Sequence, residues 1–277
     1  MHMQDELQRI IAFDAFGTDP DIVREAPMRP KSIELQTWPS GVTSIDNLTG
    51  GFYGAALIGG KQKVGKSMMA IRSSILAAQS GWTVAYFDAE NDRDEVMRRA
   101  WNVIGAKEND SLTFWHPWFV RRAATLERIA ECAAQTIVPG DKRLLIVIDS
   151  LNRVAKRMER NDKRYQRGGG YFRALQDVCE WAQAATMLSN GRVGVLLTAE
   201  QNRGGTIVGM DAEYACQIIV YLREQETGVD LDVISRRTQG GNLGPHMRRF
   251  SRCEFVSIAG TEDEPPPDWL GRDISGD

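Results

Sequence analysis

The sequence predicts an α/β fold, a mainly parallel, twisted sheet with helices on both faces. Three observations carry that reading. Apolar strand-like runs alternate along the chain with longer helical stretches, the order that builds a parallel sheet from strand–helix–strand units. The runs are continuously apolar, as in Leu144-Leu145-Ile146-Val147-Ile148, which suits strands buried on both faces. Between the first run and the first long helix stands the octet Gly60-Lys61-Gln62-Lys63-Val64-Gly65-Lys66-Ser67. It fits G-x-x-x-x-G-K-[ST], a pattern that belongs at a strand-to-helix turn.

Gln4 to Phe16 reads as an amphipathic helix, with Leu7, Ile10 and Ile11 on one face. Pro20, Pro27, Pro30 and Pro39 then mark a linker. Residues 1–40 are therefore expected to be a helix and linker able to pack on a neighbouring subunit. The core is expected over 41–258. Its first strand is Ala55 to Gly59, followed by a helix over Met68 to Ala78. Val84 to Phe87, Leu144 to Ile148 and Val193 to Leu197 are the next strands, with Gln217 to Leu222 and Leu231 to Ile234 after them. Leu126 to Ala134 reads as an amphipathic helix, and Trp115, Trp118 and Phe119 as packing near a strand end.

Residues 259–277 form an expected acidic, flexible tail. From 261 onward it holds six acidic side chains against Arg272, so its net charge is −5 while the whole chain carries −3. The rest of the chain is thus slightly basic, which keeps a nucleic-acid partner open. No run of 18 apolar residues exists and the N-terminus is not a signal peptide, so no membrane partner is expected. Cys132, Cys179, Cys216 and Cys253 are widely spaced, which fits buried free thiols and a cytoplasmic setting. His2, His116 and His246 make no metal-ligand cluster.

The octet has a direct physical reading. Gly60 and Gly65 allow the backbone to curl so that its N–H groups point at phosphate oxygens. The helix that follows offers its positive end to the same anion. Lys66 would reach the outer phosphates, and the Ser67 hydroxyl would hold Mg²⁺. A carboxylate at the end of a neighbouring strand, Asp149, is the expected second metal contact, direct or through water; alone it would read as a helix cap. Glu90, leaving Val84 to Phe87 at the same sheet edge, is the candidate base that polarises the attacking water; the alternative is a solvated acidic turn, since Asp88, Asp92 and Asp94 crowd the segment. Gln201, after the fourth strand, is placed to touch the γ-phosphate and report its loss to the Gly204-Gly205 loop. Residues 153–167 hold seven basic side chains, including Arg157, Arg160, Lys163, Arg164 and Arg167, opposed only by Glu159 and Asp162. Tyr165, Tyr171 and Phe172 lie nearby. A flexible basic loop with interleaved aromatics suits single-stranded nucleic acid, and the acidic tail would compete for it when DNA is absent.

Over about residues 38–255 the chain resembles the RecA-type ATPases, the RecA and RadA recombinases and the DnaB-like replicative helicases. Gly41-Val42-Thr43-Ser44-Ile45-Asp46-Asn47-Leu48-Thr49-Gly50-Gly51 looks like their entry segment, and Phe87-Asp88-Ala89-Glu90 like their catalytic-glutamate segment. Ile148-Asp149-Ser150 looks like the metal-binding strand, and Thr198 to Arg203 like the sensor strand. The resemblance implies a RecA-like core, ATP and Mg²⁺ as ligands, and self-assembly into a ring hexamer or a helical filament. The octet with Met68 would hold the phosphates, and Asp94 and Met97 fall where adenine contacts are expected. Arg203, with the loop after it, would face DNA. The family completes its site with basic residues from the next subunit, as K-x-R or K-x-K after a late strand. Arg237 matches the first position, whereas Gln239 stands at the second. Either Arg236 and Arg237 carry that contact or the finger is weakened. The implied activity is an ATP hydrolase coupled to single-stranded DNA binding or translocation. The alternative is a regulatory ATPase of the same superfamily acting on protein partners.

Overall fold

Six strands run parallel and end at nearly one level, and that level is where the octet sits. The computed structural model describes residues 36–104, 118–122, 125–136, 143–166, 168–189, 191–201, 215–225, 228–237 and 241–250. In chain order they form β1 (Thr37–Trp38), α1 (Thr43–Thr49), β2 (Phe52–Tyr53), β3 (Ala55–Gly60), α2 (Lys66–Gln79), β4 (Thr83–Asp88), α3 (Arg93–Ile104), β5 (Trp118–Arg122) and α4 (Leu126–Thr136). β6 (Leu144–Asp149), α5 (Leu151–Asn161), a 3-10 turn (Lys163–Tyr165), α6 (Gly170–Leu188), β7 (Val193–Glu200), β8 (Ile218–Gln225), β9 (Gly228–Arg237) and β10 (Gly241–Phe250) follow.

The main sheet has the order β10-β9-β8-β3-β7-β6-β4-β5. β8, β3, β7, β6, β4 and β5 are parallel, while β9 and β10 run antiparallel at one side. Both faces are covered. Leu57, Phe87, Ile146, Ile148 and Leu197 pack under α4, α5 and α6. Their neighbours Ile58, Tyr86, Val147 and Leu196 pack under α2 and α3. Alternate residues of one apolar run thus feed two separate cores, which is why the runs do not alternate.

The expected strands and helices in the described residues are present, most of them a residue or more longer than the apolar run. Three segments read differently. Trp38, in the proline-containing segment, is buried at 1% exposure and meets Trp82 edge-on at 5.4 Å between ring centroids. β1 pairs antiparallel with β2, so residues 36–40 pack on the core. Trp118 and Phe119 lie within the backbone of β5, an edge strand parallel to β4. Residues 153–161, the first part of the expected flexible basic loop over 153–167, lie in α5. The helical spacing of Leu151, Val154, Ala155 and Met158, all buried, explains the difference: the charges occupy one face and an apolar stripe the other. The expected helix over 4–16, Trp115, His116, Arg167, Arg203, Gln239, Cys253 and the acidic tail lie outside the described residues.

Candidate functional site

The octet closes β3 and opens α2. Gly60 is the last residue of β3, opposite Glu200 on β7 and Leu222 on β8. A Cβ there would stand 2.7 Å from Val64 Cγ1 and 2.8 Å from the Leu222 carbonyl oxygen. Gly60 is therefore required by close approach. The curl itself is made by Lys63 at φ 61° and Gly65 at φ 109°, where Gly65 carries no steric cost. No side chain caps the first turn of α2. The first backbone N–H groups of a helix have no partner within it, so those of Lys66, Ser67 and Met68 point out of α2 as donors for an anion.

Lys66 lies across the loop, its Nζ donating to the carbonyls of Gly60 at 3.0 Å and Lys61 at 2.6 Å. The Gly60 carbonyl also accepts from the Gln201 N–H at 3.0 Å, so the loop and the expected sensor position meet at one oxygen. Burial pushes the Lys66 pKa down, while Glu200, Asp149 and Glu90, in that order, push it back up. Strand register brings these segments to one edge: Glu200 is opposite Gly60, and Asp149, which ends β6, is opposite Asp88 on β4, two residues before Glu90.

Asp149 is held by hydroxyls from both neighbouring strands. Its Oδ1 accepts from Thr198 Oγ1 at 2.6 Å and its Oδ2 from Tyr86 OH at 2.8 Å. The Asp149–Ser150 peptide is cis. One hydroxyl on each oxygen leaves lone pairs free for a metal or its water. Among the described residues no group of three or more His, Cys, Asp or Glu is arranged to hold a metal ion. That donor set fits Mg²⁺, which is commonly held by one carboxylate, a hydroxyl and substrate phosphates rather than by an all-protein cage. Ser67 and Asp149 are the residues that would hold it.

Asp88 builds the turn that presents Glu90. It is buried, and its Oδ1 accepts from the N–H groups of Glu90 and Asn91, both at 2.6 Å. Burial, with Asp149 nearby, raises the Asp88 pKa. The segment that the sequence leaves open as a solvated acidic turn is thus an ordered one. The Glu90 side chain reaches α5, where Arg153 Nε donates to its Oε1 at 2.8 Å, both side chains being 50% exposed. Asp94 and Met97 lie in the first half of α3, Asp94 exposed and Met97 half-buried.

α5 redistributes the basic residues. Arg157 Nη2 donates to the Ala89 carbonyl at 2.6 Å. Arg164 is tied to Asp162 and Glu127. Lys156, Arg160 and Lys163 are exposed. Asn152 Oδ1 accepts from the Glu200 N–H at 2.6 Å, and its Nδ2 donates to Tyr171 OH at 2.9 Å. Sequence reasoning missed Glu200, Asn152, Arg153, Tyr86 and Thr198. Only Glu200 and Thr198 carried a signal, their place beside Gln201 on the sensor strand.

Arg237 ends β9. Because β9 runs antiparallel, Ser235 pairs with Ile218, which pairs with Ala56 at the foot of β3. Arg237 is thus at the opposite end of the sheet from the octet, about 20 Å away at ~3.3 Å per residue. It does not reach the octet of its own chain.

The family model described as AAA domain matches residues 45–190, more than half of the chain. The chain belongs to the AAA domain family. This AAA domain is similar to a solved structure of an ATPase domain, with a TM-score of 0.60 at 18% identity over 82% of this chain and 93% of that one. It is also similar to a KaiC-like protein from the hyperthermophilic archaeon Pyrococcus horikoshii, with a TM-score of 0.54 at 18% identity over 80% and 99%. The fold is the RecA-like ATPase fold. No curated protein matches the sequence. Among the described residues of this AAA domain no helix is long and apolar enough to cross a membrane, and Cys132, Cys179 and Cys216 are buried.

Proposed function

We propose that this AAA domain hydrolyses ATP in a site completed by a neighbouring copy, and couples hydrolysis to single-stranded DNA. The observation that carries the hydrolase reading is the strand register that ends β3, β4, β6 and β7 at one rim, with Gly60 of the octet opposite Glu200 and Asp149 opposite Asp88, two residues before Glu90. In this reading the octet and Met68 bind the phosphates, and Ser67 and Asp149 would hold Mg²⁺, whose chemistry there would be to offset phosphate charge. Asp94 and Met97 flank the base. Glu90 accepts the proton of the attacking water. Gln201, joined to the octet through the Gly60 carbonyl, senses the γ-phosphate. Arg237 of one copy, with Arg236, stabilises charge on the γ-phosphate bound by the next. A ring hexamer and a helical filament both satisfy that requirement. The DNA contacts are Lys156 and Arg160 on α5 and Lys163 in the 3-10 turn, with Arg167 and Arg203 beyond them. The setting is cytoplasmic.

The second reading is a regulatory ATPase that acts on protein partners. Arg157 and Arg164 favour it, because each is already engaged inside the chain and so is less available to phosphates. ATPase assays with and without single-stranded DNA at low salt separate the two. Stimulation and salt-sensitive binding support the DNA motor; neither effect, with ATPase intact, supports the regulator. Glu90→Gln should retain ATP binding and lose turnover by about 10²–10⁴-fold. Undiminished turnover in that variant would remove Glu90 from its role.

A further inference from the structure

We propose that Arg153 is the positioning residue for Glu90, holding the carboxylate in the attitude from which it takes the proton of the attacking water. The proposal rests on the reading of Glu90 as the base. Three observations carry it. The Glu90 backbone is fixed by Asp88, but its side chain leaves the turn into solvent at 50% exposure. An extended carboxylate on that stem samples several rotamers, and ordering it has an entropic cost. The contact the structure gives that carboxylate is the guanidinium of Arg153, Nε to Oε1 at 2.8 Å. One oxygen is thereby held and Oε2 is left to meet water.

Arg153 is itself well placed to be a fixed point. It is on the first turn of α5, which begins directly after Asp149 and Ser150. Its neighbour Asn152 bonds the Glu200 N–H, and Arg157, one turn on, bonds the Ala89 carbonyl next to Glu90. α5 is therefore pinned to the ends of both β4 and β7. The guanidinium lies within electrostatic reach of Glu200 as well as Glu90. Of these two carboxylates, the one its guanidinium hydrogen-bonds is that of Glu90.

An exposed pair of this kind contributes little to stability, so its loss should leave folding nearly untouched. Geometry is another matter, since a misplacement of about 1 Å at a reacting group can cost on the order of a hundredfold in rate. The test uses Arg153→Gln and Arg153→Lys in the full chain under steady-state and single-turnover conditions. Arg153→Gln should lower kcat roughly ten- to a hundredfold, with KM for ATP and the melting temperature unchanged. Arg153→Lys, which keeps a cation but not the guanidinium geometry, should recover part of the loss. In a Glu90→Gln background the residual single-turnover rate should not fall further when Arg153→Gln is added. A wild-type kcat in Arg153→Gln, or an equal fractional loss in the Glu90→Gln background, would overturn the positioning role. A turnover that survives Glu90→Gln alone would instead remove the reading of Glu90 on which the proposal rests.

Discussion

Each key residue of the rim is constrained by something other than the ligand it would bind. Asp149 is clamped by Tyr86 and Thr198, Glu90 is seated by Asp88, and Lys66 rests on the carbonyls of its own loop. Such preorganisation is what electrostatic catalysis needs, because the groups are not reoriented at the moment of reaction. Gly60 shows how tightly the loop is built. A methyl group there would meet the Val64 side chain and, less forgivingly, the Leu222 backbone oxygen of β8. Val64 has some freedom to turn away; a carbonyl inside a ladder does not. Gly60→Ala should therefore destabilise the domain by about 1–3 kcal/mol through overpacking and displace the loop from β8. Thermal melting together with ATP affinity checks this. An unchanged melting temperature would mean that β8 yields, and that Gly60 is not held by the contact described. The sequence flags Gly60 as a phosphate-loop residue, yet it attaches the need for glycine to backbone curl. The need arises from a neighbouring strand far along the chain, which no local pattern displays.

At the level of elements, α5 joins the rim to the basic surface. The charge count over 153–167 was legible in the sequence, and so was its place after the strand that ends in Asp149. What composition hides is which of those charges are already engaged inside the chain. On the charged face of α5, Arg153 and Arg157 are committed to Glu90 and the Ala89 carbonyl. Lys156 and Arg160 on the same face are exposed, as is Lys163 in the 3-10 turn that follows. Replacing these last three by Ala should weaken single-stranded DNA binding and flatten its salt dependence, by a slope of roughly 0.7 per lost phosphate contact. ATPase without DNA should hold, because none of the three is placed at the rim. Fluorescence titration of a labelled oligonucleotide at several salt concentrations reads the slope. An unchanged slope would take these three residues out of the interface and favour a protein partner. The strands were easier to read than this helix. Their apolar runs are dictated by burial on two faces, whereas a helix with a polar face resembles a solvated loop until its buried stripe is recognised.

For the whole molecule, sheet direction decides what one chain is able to do alone. β3 carries the octet at its upper end, whereas β9 returns antiparallel and delivers Arg237 to the foot of the sheet. The sequence could match Arg237 to a family position, but the opposed polarity of the two strands is a topological fact that only the fold supplies. A single chain therefore has the octet and Arg237 at opposite poles. Stacking copies head to tail would bring one pole against the other, the heterologous arrangement that yields rings or filaments. This predicts complementation between two defective chains. Lys66→Ala removes the phosphate lysine and leaves Arg237 intact; Arg237→Ala does the reverse. Each variant alone should be nearly inactive, since every interface it forms lacks one partner. In a mixture, an interface that takes its octet from an Arg237→Ala chain and its arginine from a Lys66→Ala chain is complete. Random mixing at equal amounts makes about a quarter of the head-to-tail interfaces complete, so ATPase should rise well above either variant alone and peak near equal proportions. If mixing restores nothing while both variants still assemble with wild-type chains, Arg237 does not act across the interface, and the second cation of the site must come from another residue.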